Sequence, residues 1–332
     1  MKADRHANGV SIRPPGRSPS ESRSALSVII PSYNRQDILC QTINSVLEQR
    51  FPALEIIVVD QTPGTPIVPL QQLVERHRRI IRYIRQTPAN LPKARNTGIE
   101  AASSEYLLFI DDDVILPSGF IESHMLRLES DPAIGAVTGP IIDQLADPQS
   151  VSLSPFQRTF DLSLHSPEQE FAYASWFAGG NFSAKRSVLN RVGPFDESFT
   201  GSAYCEDVDM GVRVRKSGFK IAFDRHAWLV HLAMRSGGCE TRNESIAEEK
   251  ARERFQHLIY CRLKHVGMQG PELTARLLYR AFRSYVLNRP TLSRGSIYTL
   301  KRMLAAVSEL IKAGRRLLRY ESFGAPYPRP QL

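Results

Sequence analysis

Apolar residues in the first third of the chain come in short runs separated by stretches of mixed polarity. Leu26-Ser27-Val28-Ile29-Ile30, Glu55-Ile56-Ile57-Val58-Val59, Ile80 to Ile84 and Tyr106-Leu107-Leu108-Phe109-Ile110 are rich in β-branched and aromatic side chains. Such runs predict strands buried on both faces. Between them, Asp37 to Gln49, Leu70 to Arg79 and Leu91 to Ala102 carry apolar residues at helical spacing, the last opened by Pro92 at an early helix position. Strands alternating with helices predict an α/β, Rossmann-like, mostly parallel sheet flanked by helices. Past Asp113 the pattern loosens. Strands are expected at Ile134 to Val137 and Phe219 to Phe223, and helices over Ser187 to Val192 and Asp207 to Ser217. A polar, irregular stretch runs from Asp143 to Tyr173. From Ala247 onward the chain reads as helix in about three segments. The expected organisation is a basic arm (1–24), an α/β domain (25–240) and a C-terminal helical extension (241–332).

Charge changes this picture. The net +9 of the 332 residues conceals an acidic body at −6, an arm at +3 and a stretch from Ala251 onward at +12. A basic tail usually faces an anionic surface, lipid or nucleic acid. No nucleic-acid-binding motif is visible, so nucleic acid is not an expected partner. Lys301 to Tyr320 is the most amphipathic stretch. Met303, Leu304, Val307, Leu310, Ile311, Leu317 and Leu318 are expected to share a face, with Lys312, Arg315, Arg316 and Arg319 mostly opposite. That suits a helix lying on an anionic membrane surface. No run reaches the roughly 20 apolar residues needed to span a bilayer. The arm from Met1 to Ser24 lacks an apolar core and reads as disordered, not as a secretory signal. Cys40, Cys205, Cys239 and Cys261 have no metal-site spacing and read as reduced thiols, so zinc is not expected. The expected location is the cytoplasm, peripheral on the inner face of the plasma membrane.

Candidate chemistry concentrates in Asp111-Asp112-Asp113, directly after the fourth apolar run. Three adjacent carboxylates repel one another and cannot be buried unpaired. At a strand end they could hold Mg2+ or Mn2+, hard cations that in turn suit a diphosphate. The chain has no G-x-G-x-x-G after its first strand, no G-x-x-x-x-G-K-[ST] and no G-x-S-x-G. Dinucleotide-dehydrogenase, P-loop and α/β-hydrolase readings are thereby disfavoured.

An ordered set of motifs is present: Pro31-Ser32-Tyr33-Asn34, Val58-Val59-Asp60, Ala94-Arg95-Asn96-Thr97-Gly98, the Asp triplet, Gly193-Pro194-Phe195-Asp196-Glu197, Glu206-Asp207-Val208-Asp209 and His231. In this order and spacing the set resembles the family 2 glycosyltransferases of the GT-A fold, over roughly Ala25 to Gly238. The resemblance implies an inverting hexosyl- or deoxyhexosyltransferase that uses a UDP-, dTDP- or GDP-sugar and Mg2+ or Mn2+. Its implied acceptor is a glycan or lipid-linked glycan, as in the building of cell-envelope polysaccharide. It places Pro31, Ser32, Tyr33, Asp60 and Arg95 at the nucleotide and Asp111 on the ribose side, with Asp112 able to replace either Asp111 or the metal-side Asp113. Asp113 and His231 are the implied metal ligands. Asp207 is the implied general base, with Glu206 as its alternative. Trp176, Gly179, Gly180 and Asn181 would line the sugar or acceptor side. The Q-x-x-R-W motif of processive synthases is missing, which favours addition of one or a few sugars. Gln61-Thr62-Pro63 replaces the second acid and Gly-Ser of many members, which leaves the nucleotide open. Two rival readings remain. A sugar nucleotidyltransferase would want a Gly-rich basic loop near the N-terminus, and Ile30 to Arg35 holds no glycine. A non-catalytic donor-binding protein would have no need to retain Glu206 and Asp207.

Overall fold

The computed structural model describes residues 25–144, 171–234, 237–238, 244–266 and 271–322. The arm before residue 25, Cys239 and most of the stretch read as irregular lie outside the described residues. Cys40, Cys205 and Cys261 are free thiols.

The β-branched runs form the strands they predict. β1 (Leu26–Ser32), β2 (Leu54–Asp60), β3 (Ile81–Arg85) and β4 (Tyr106–Ile110) alternate with α1 (Gln36–Leu47), α2 (Val68–Arg76) and α3 (Leu91–Ala101). Every residue of β1 is buried, as a central strand covered on both faces requires. β1 pairs in parallel with β2 on one side and β4 on the other. Gly98 of α3 lies so close to Ile29 of β1 that a Cβ there would overlap its side chain.

After β4 come β5 (Val114–Ile115), α4 (Phe120–Ser130), β6 (Ile134–Thr138), β7 (Ile141–Asp143), β8 (Phe171–Ala174) and β9 (Asn181–Lys185). Then follow α5 (Arg186–Val192), α6 (Glu206–Lys216), β10 (Lys220–Asp224) and β11 (Leu229–His231). The large sheet runs β3-β2-β1-β4-β9-β6-β10-β8, and a small one runs β5-β11-β7. The strand order reverses direction between β1 and β4. Ligands of open α/β sheets bind beyond the carboxyl ends of strands at such a point.

Three expectations are corrected here. β8 and the end of β7 occupy both margins of the stretch read as irregular. β9 was not expected, because its sequence, Asn-Phe-Ser-Ala-Lys, has polar residues where a core strand usually has apolar ones. Those polar groups are satisfied internally: His124 of α4 sits 2.8 Å from Ser183 Oγ and 3.1 Å from Asn181 Oδ1. Asn181, expected on the acceptor side, is therefore turned into the core, where its amide also donates to the Ala227 and Pro140 carbonyls.

The extension comprises α7 (Glu244–Val266), α8 (Pro271–Val286), α9 (Arg289–Leu292) and α10 (Ser296–Ser322). Phe255, Ile259, Tyr260, Tyr285, Ala306 and Ala313 form an apolar cluster that also takes in Phe199, Ala203 and Cys205 of the α/β body. Beside it lies a buried ionic network. Lys264 Nζ is 2.7 Å from Asp196 and 2.8 Å from Asp209, and Asp209 also receives Arg213 and His265. Burial alone would raise the Asp209 pKa, but Arg213, Lys264 and His265 reverse this and hold it far below the usual carboxylate range. α7 is thus fastened to α6 by its charges as well as its apolar face.

The apolar face expected on α10 is also corrected. Its apolar residues form two stripes, not one face. Met303, Leu310 and Leu317 pack on the cluster of the extension. Ile297, Leu300, Leu304, Val307, Ile311 and Leu318 are exposed. Arg316 does not stand with the outward basic residues but donates to the Ser198 carbonyl of the body.

Candidate active site

The carboxyl ends of β1, β2 and β4 open into a cleft of about 1110 Å3, large enough for a nucleotide and a sugar. One wall is the sheet edge, with Ser32, Tyr33, Gln61, Arg95 and Asp111 to Asp113. The other wall comes from Gly201 to Asp207 and from α7 and α10, including Arg252, Glu253, Arg254 and Lys312.

The three aspartates of the triplet diverge, as successive residues leaving a strand must. Asp112 turns toward β1. Its Oδ2 accepts from the Ser32 hydroxyl at 2.7 Å and from the Tyr33 amide at 3.3 Å, and its Oδ1 is 3.2 Å from Arg35. Burial lifts its pKa to about 7, against the pull of Arg35. Asp111 and Asp113 turn toward His231, and one ligand atom from each of the three falls within 4.8 Å of the others. His231 Nδ1 is held 2.8 Å from Asp143 Oδ1, which leaves Nε2 directed at Asp113, 3.3 Å away. A carboxylate that orients the far nitrogen of a histidine is a common support for a metal ligand. Burial disfavours the charged imidazole, but hydrogen bonds to Asp113 and Asp143 outweigh it and raise its pKa to about 10. Asp113 is fully buried, and the nearest partner of its Oδ1 is this imidazole nitrogen. A buried carboxylate beside a second carboxylate and an oriented imidazole fits a hard divalent cation.

Gly179 and Gly180 form a ridge between this cluster and α6. A Cβ on Gly180 would collide with the Asp111 carboxylate, and one on Gly179 would come within 2.6 Å of Arg95 Nη2 and 2.9 Å of Glu206 Oε1. The absence of both side chains lets the acidic cluster and the start of α6 approach each other. The Gly179 amide donates to Asp207 Oδ2 at 3.0 Å, and the Val208 amide donates to Oδ1 at 2.8 Å. Cys205, just before α6, is held at φ 70°. That left-handed backbone is costly for a residue with a Cβ, and the burial of Cys205 against the extension holds it there. Burial raises the Asp207 pKa, with the two amides and Arg95 opposing. Glu206 contacts Arg95 directly, and Arg95 also lies 4.0 Å from Asp111. Burial pushes Glu206 up to about 8 against the pull of Arg95. Its Oε2 has no hydrogen-bond partner among the described residues.

Asp60 sits behind the cleft. Its carboxylate is fully buried and accepts from Gln36 at 2.7 Å, from the Thr62 amide at 2.8 Å and from the Tyr83 hydroxyl. The side chain that reaches the cleft from this strand end is Gln61, with its Oε1 2.6 Å from the Asn90 amide. Trp176 packs its backbone against Gly211 of α6 and, like Asn181, is not among the residues lining the cleft. Arg35 lines it and was not singled out from the sequence, although it directly follows Pro31-Ser32-Tyr33-Asn34.

The profile of the family described as "Glycosyl transferase family 2" matches residues 27–193, half of the chain. O-antigen biosynthesis protein RfbC of Myxococcus xanthus is 26% identical over 235 residues, covering 65% of this chain and 18% of that protein. A GalNAc(5)-diNAcBac-PP-undecaprenol beta-1,3-glucosyltransferase of Campylobacter jejuni is 36% identical over 104 residues, covering 31% of this chain and 34% of that protein. The chain thus spans about a fifth to a third of the length of these relatives. A solved mannosyltransferase of Pyrobaculum calidifontis, in complex with GDP-Man and Mn2+, superposes with a TM-score of 0.52 at 19% identity. The match covers 90% of this chain and 88% of that one, and it shows that the fold is shared.

Proposed function

Because the chain belongs to glycosyl transferase family 2, we propose that it moves a sugar from a nucleotide-sugar donor to an acceptor hydroxyl with inversion at the anomeric carbon. One juxtaposition supports this most. Asp207, held by two backbone amides, faces the Asp111–Asp113–His231 cluster across the Gly179–Gly180 ridge, within a single cleft. The nucleotide lies along Pro31, Ser32, Tyr33 and Gln61. Asp60 acts one layer behind, fixing the turn at Thr62. Mg2+ or Mn2+ at Asp111, Asp113 and His231 would stabilise the charge of the departing diphosphate.

The reaction is a single displacement. The acceptor oxygen bonds to the anomeric carbon as the bond to the diphosphate breaks, and Asp207 takes the hydroxyl proton. An Asp207 pKa raised by burial makes that carboxylate a better base than a solvated aspartate. Glu206 keeps Arg95 fixed between the base and Asp111. Arg95 thereby sets the spacing of the two halves of the site.

The acceptor enters between Asp207 and the helical wall, and its class is a lipid-linked glycan presented at an anionic membrane. Support comes from the outward stripe of α10, where Lys301, Arg315 and Arg319 are exposed beside Leu300, Leu304, Val307, Ile311 and Leu318. The sole acid between residues 297 and 320 is Glu309, which is buried and paired with Arg252 and Lys312. Basic residues at such a surface contribute roughly 1 kcal/mol each. No helix among the described residues is long and apolar enough to cross a membrane.

The test is incubation with a panel of UDP-, dTDP- and GDP-sugars, Mn2+ and lipid-linked acceptors, following nucleoside diphosphate release and the anomeric configuration of the product. Retention of configuration removes the single displacement. Release of a nucleoside triphosphate on adding pyrophosphate would favour the nucleotidyltransferase reading.

A further inference from the structure

We infer that Arg35 serves as a resident cation that makes metal binding at the acidic cluster depend on the donor's diphosphate; the inference rests on the transferase reading above. Arg35 Nη1 lies 2.8 Å from Asp113 Oδ2 and 3.2 Å from Asp112 Oδ1. It therefore spans the inner two carboxylates of the triplet, and one of these, Asp113, belongs to the candidate metal cluster. Its Nη2 donates to the Met234 carbonyl at 3.3 Å.

The surroundings are shaped around this guanidinium. The chain that leaves β11 returns over it. The Leu232 amide donates to the Asp113 carbonyl at 2.8 Å, the Met234 amide to Asp113 Oδ2 at 3.3 Å, and the Gly238 amide to the Tyr33 carbonyl at 2.8 Å. Gly237 and Gly238 lie flat on the side chain. A Cβ on Gly237 would stand 2.5 Å from Arg35 Cγ, and one on Gly238 would stand 2.7 Å from Cζ. A bulkier residue at either position would displace the guanidinium.

The electrostatic consequence follows from position. A guanidinium does not deprotonate, so Arg35 always offsets one of the carboxylate charges. A divalent ion approaching Asp113 meets a fixed positive charge a few ångströms away, in surroundings less polar than water. A diphosphate brings the negative charge that removes this penalty, and the Arg35 guanidinium can donate to its oxygens. Metal and donor thus bind with positive coupling, and Arg35 is the origin of that coupling.

The experiment is a titration of the full chain with Mn2+, read from the electron paramagnetic resonance signal of free Mn2+, with and without saturating UDP, dTDP or GDP. For the unaltered protein, Mn2+ alone binds weakly and one nucleoside diphosphate strengthens it. Arg35→Gln should bind Mn2+ alone at least about tenfold more tightly, and the gain from the nucleotide should shrink. Arg35→Met keeps the stem under Gly237 and should behave alike, which covers poor folding of Arg35→Gln. Arg35→Lys retains the charge and should stay near the unaltered protein. A merely structural Arg35 would loosen Asp113 and weaken Mn2+. Unchanged or weaker Mn2+ binding in both neutral variants, or none in any variant, overturns the inference. Failure of the transferase reading would show elsewhere, as no turnover of any nucleotide sugar by the unaltered protein.

Discussion

The two walls of the cleft are built on different terms. The sheet wall delivers its groups from the ends of buried parallel strands, where backbone pairing fixes each Cα. The helical wall delivers Arg252, Glu253, Arg254 and Lys312 from long side chains on α7 and α10. The family profile covers the first wall and stops at residue 193, before α6 and the extension begin. Asp207 stands at the seam. It starts a helix that packs on the sheet, it is held by Gly179 from one side, and the Cys205 before it is wedged by the extension. On the proposed function, the donor's part of the site is set by the sheet, whereas the acceptor's part depends on how the extension is docked.

Four substitutions test this difference between the walls. The largest effect is expected from Asp207→Asn. Transfer should fall by about a thousandfold while nucleotide-induced thermal stabilisation persists. Equal loss of both would make Asp207 a member of the donor wall. Next is Lys264→Met, which leaves Asp196 and Asp209 buried with one partner fewer. Stability to urea should drop by about 3–5 kcal/mol, with transfer falling as α6 loosens. A drop below about 1 kcal/mol would mean that the walls are held together by the apolar cluster alone.

The third concerns acid. Burial holds His124 neutral with its pKa lowered to about 4, against 6.5 when free. A base whose folded pKa is depressed contributes its stability fully above 6.5 and loses it as pH falls toward 4. The share of His124 is about 3 kcal/mol, read as the difference in urea stability between the unaltered protein and His124→Asn, because Asp112 and Glu206, raised to about 7 and 8, act with the opposite sign over that range. Asp209, with its depressed pKa, adds a loss only below the ordinary carboxylate value of 3.8. His124→Asn should therefore remove the His124 share between pH 6.5 and 4 and leave the more acidic part intact. The smallest effect on stability is expected from Ile311→Asp on the exposed stripe, within about 0.5 kcal/mol. The same change should release the protein from anionic vesicles in a sedimentation assay at low salt. Persistent vesicle binding would remove the membrane role of α10.

The same contrast explains what the sequence discloses. β1, β2 and β4 are readable because strands buried on both faces need unbroken apolar runs, and the acids that end them stand out. β9 is hidden because Asn181 and Ser183 find their partners on α4, more than fifty positions away along the chain. For the same reason Asn181, next to two glycines, looked like a cleft residue. Asp60 is legible as a carboxylate at a strand end, but its three donors come from α1, β3 and the following turn, and only the fold shows that they turn it away from the cleft. The two stripes of α10 cannot be separated by periodicity, because residues on both lie at helical spacing and the packing of α7 and α8 decides which is covered. Arg35 escaped notice since an arginine after a loop has no distinguishing pattern until Asp112 and Asp113 close on it.

Lys312 of α10 borders the cleft, and its neighbour Ile311 points to the outside. A helix with its side chains is roughly 10–12 Å across. If the outer stripe rests on a lipid surface, the thickness of this one helix is the least height at which the reacting hydroxyl must be offered. The helix then works as a ruler: an acceptor with a short head group would reach Asp207, and a longer glycan would have to fold back or would overshoot.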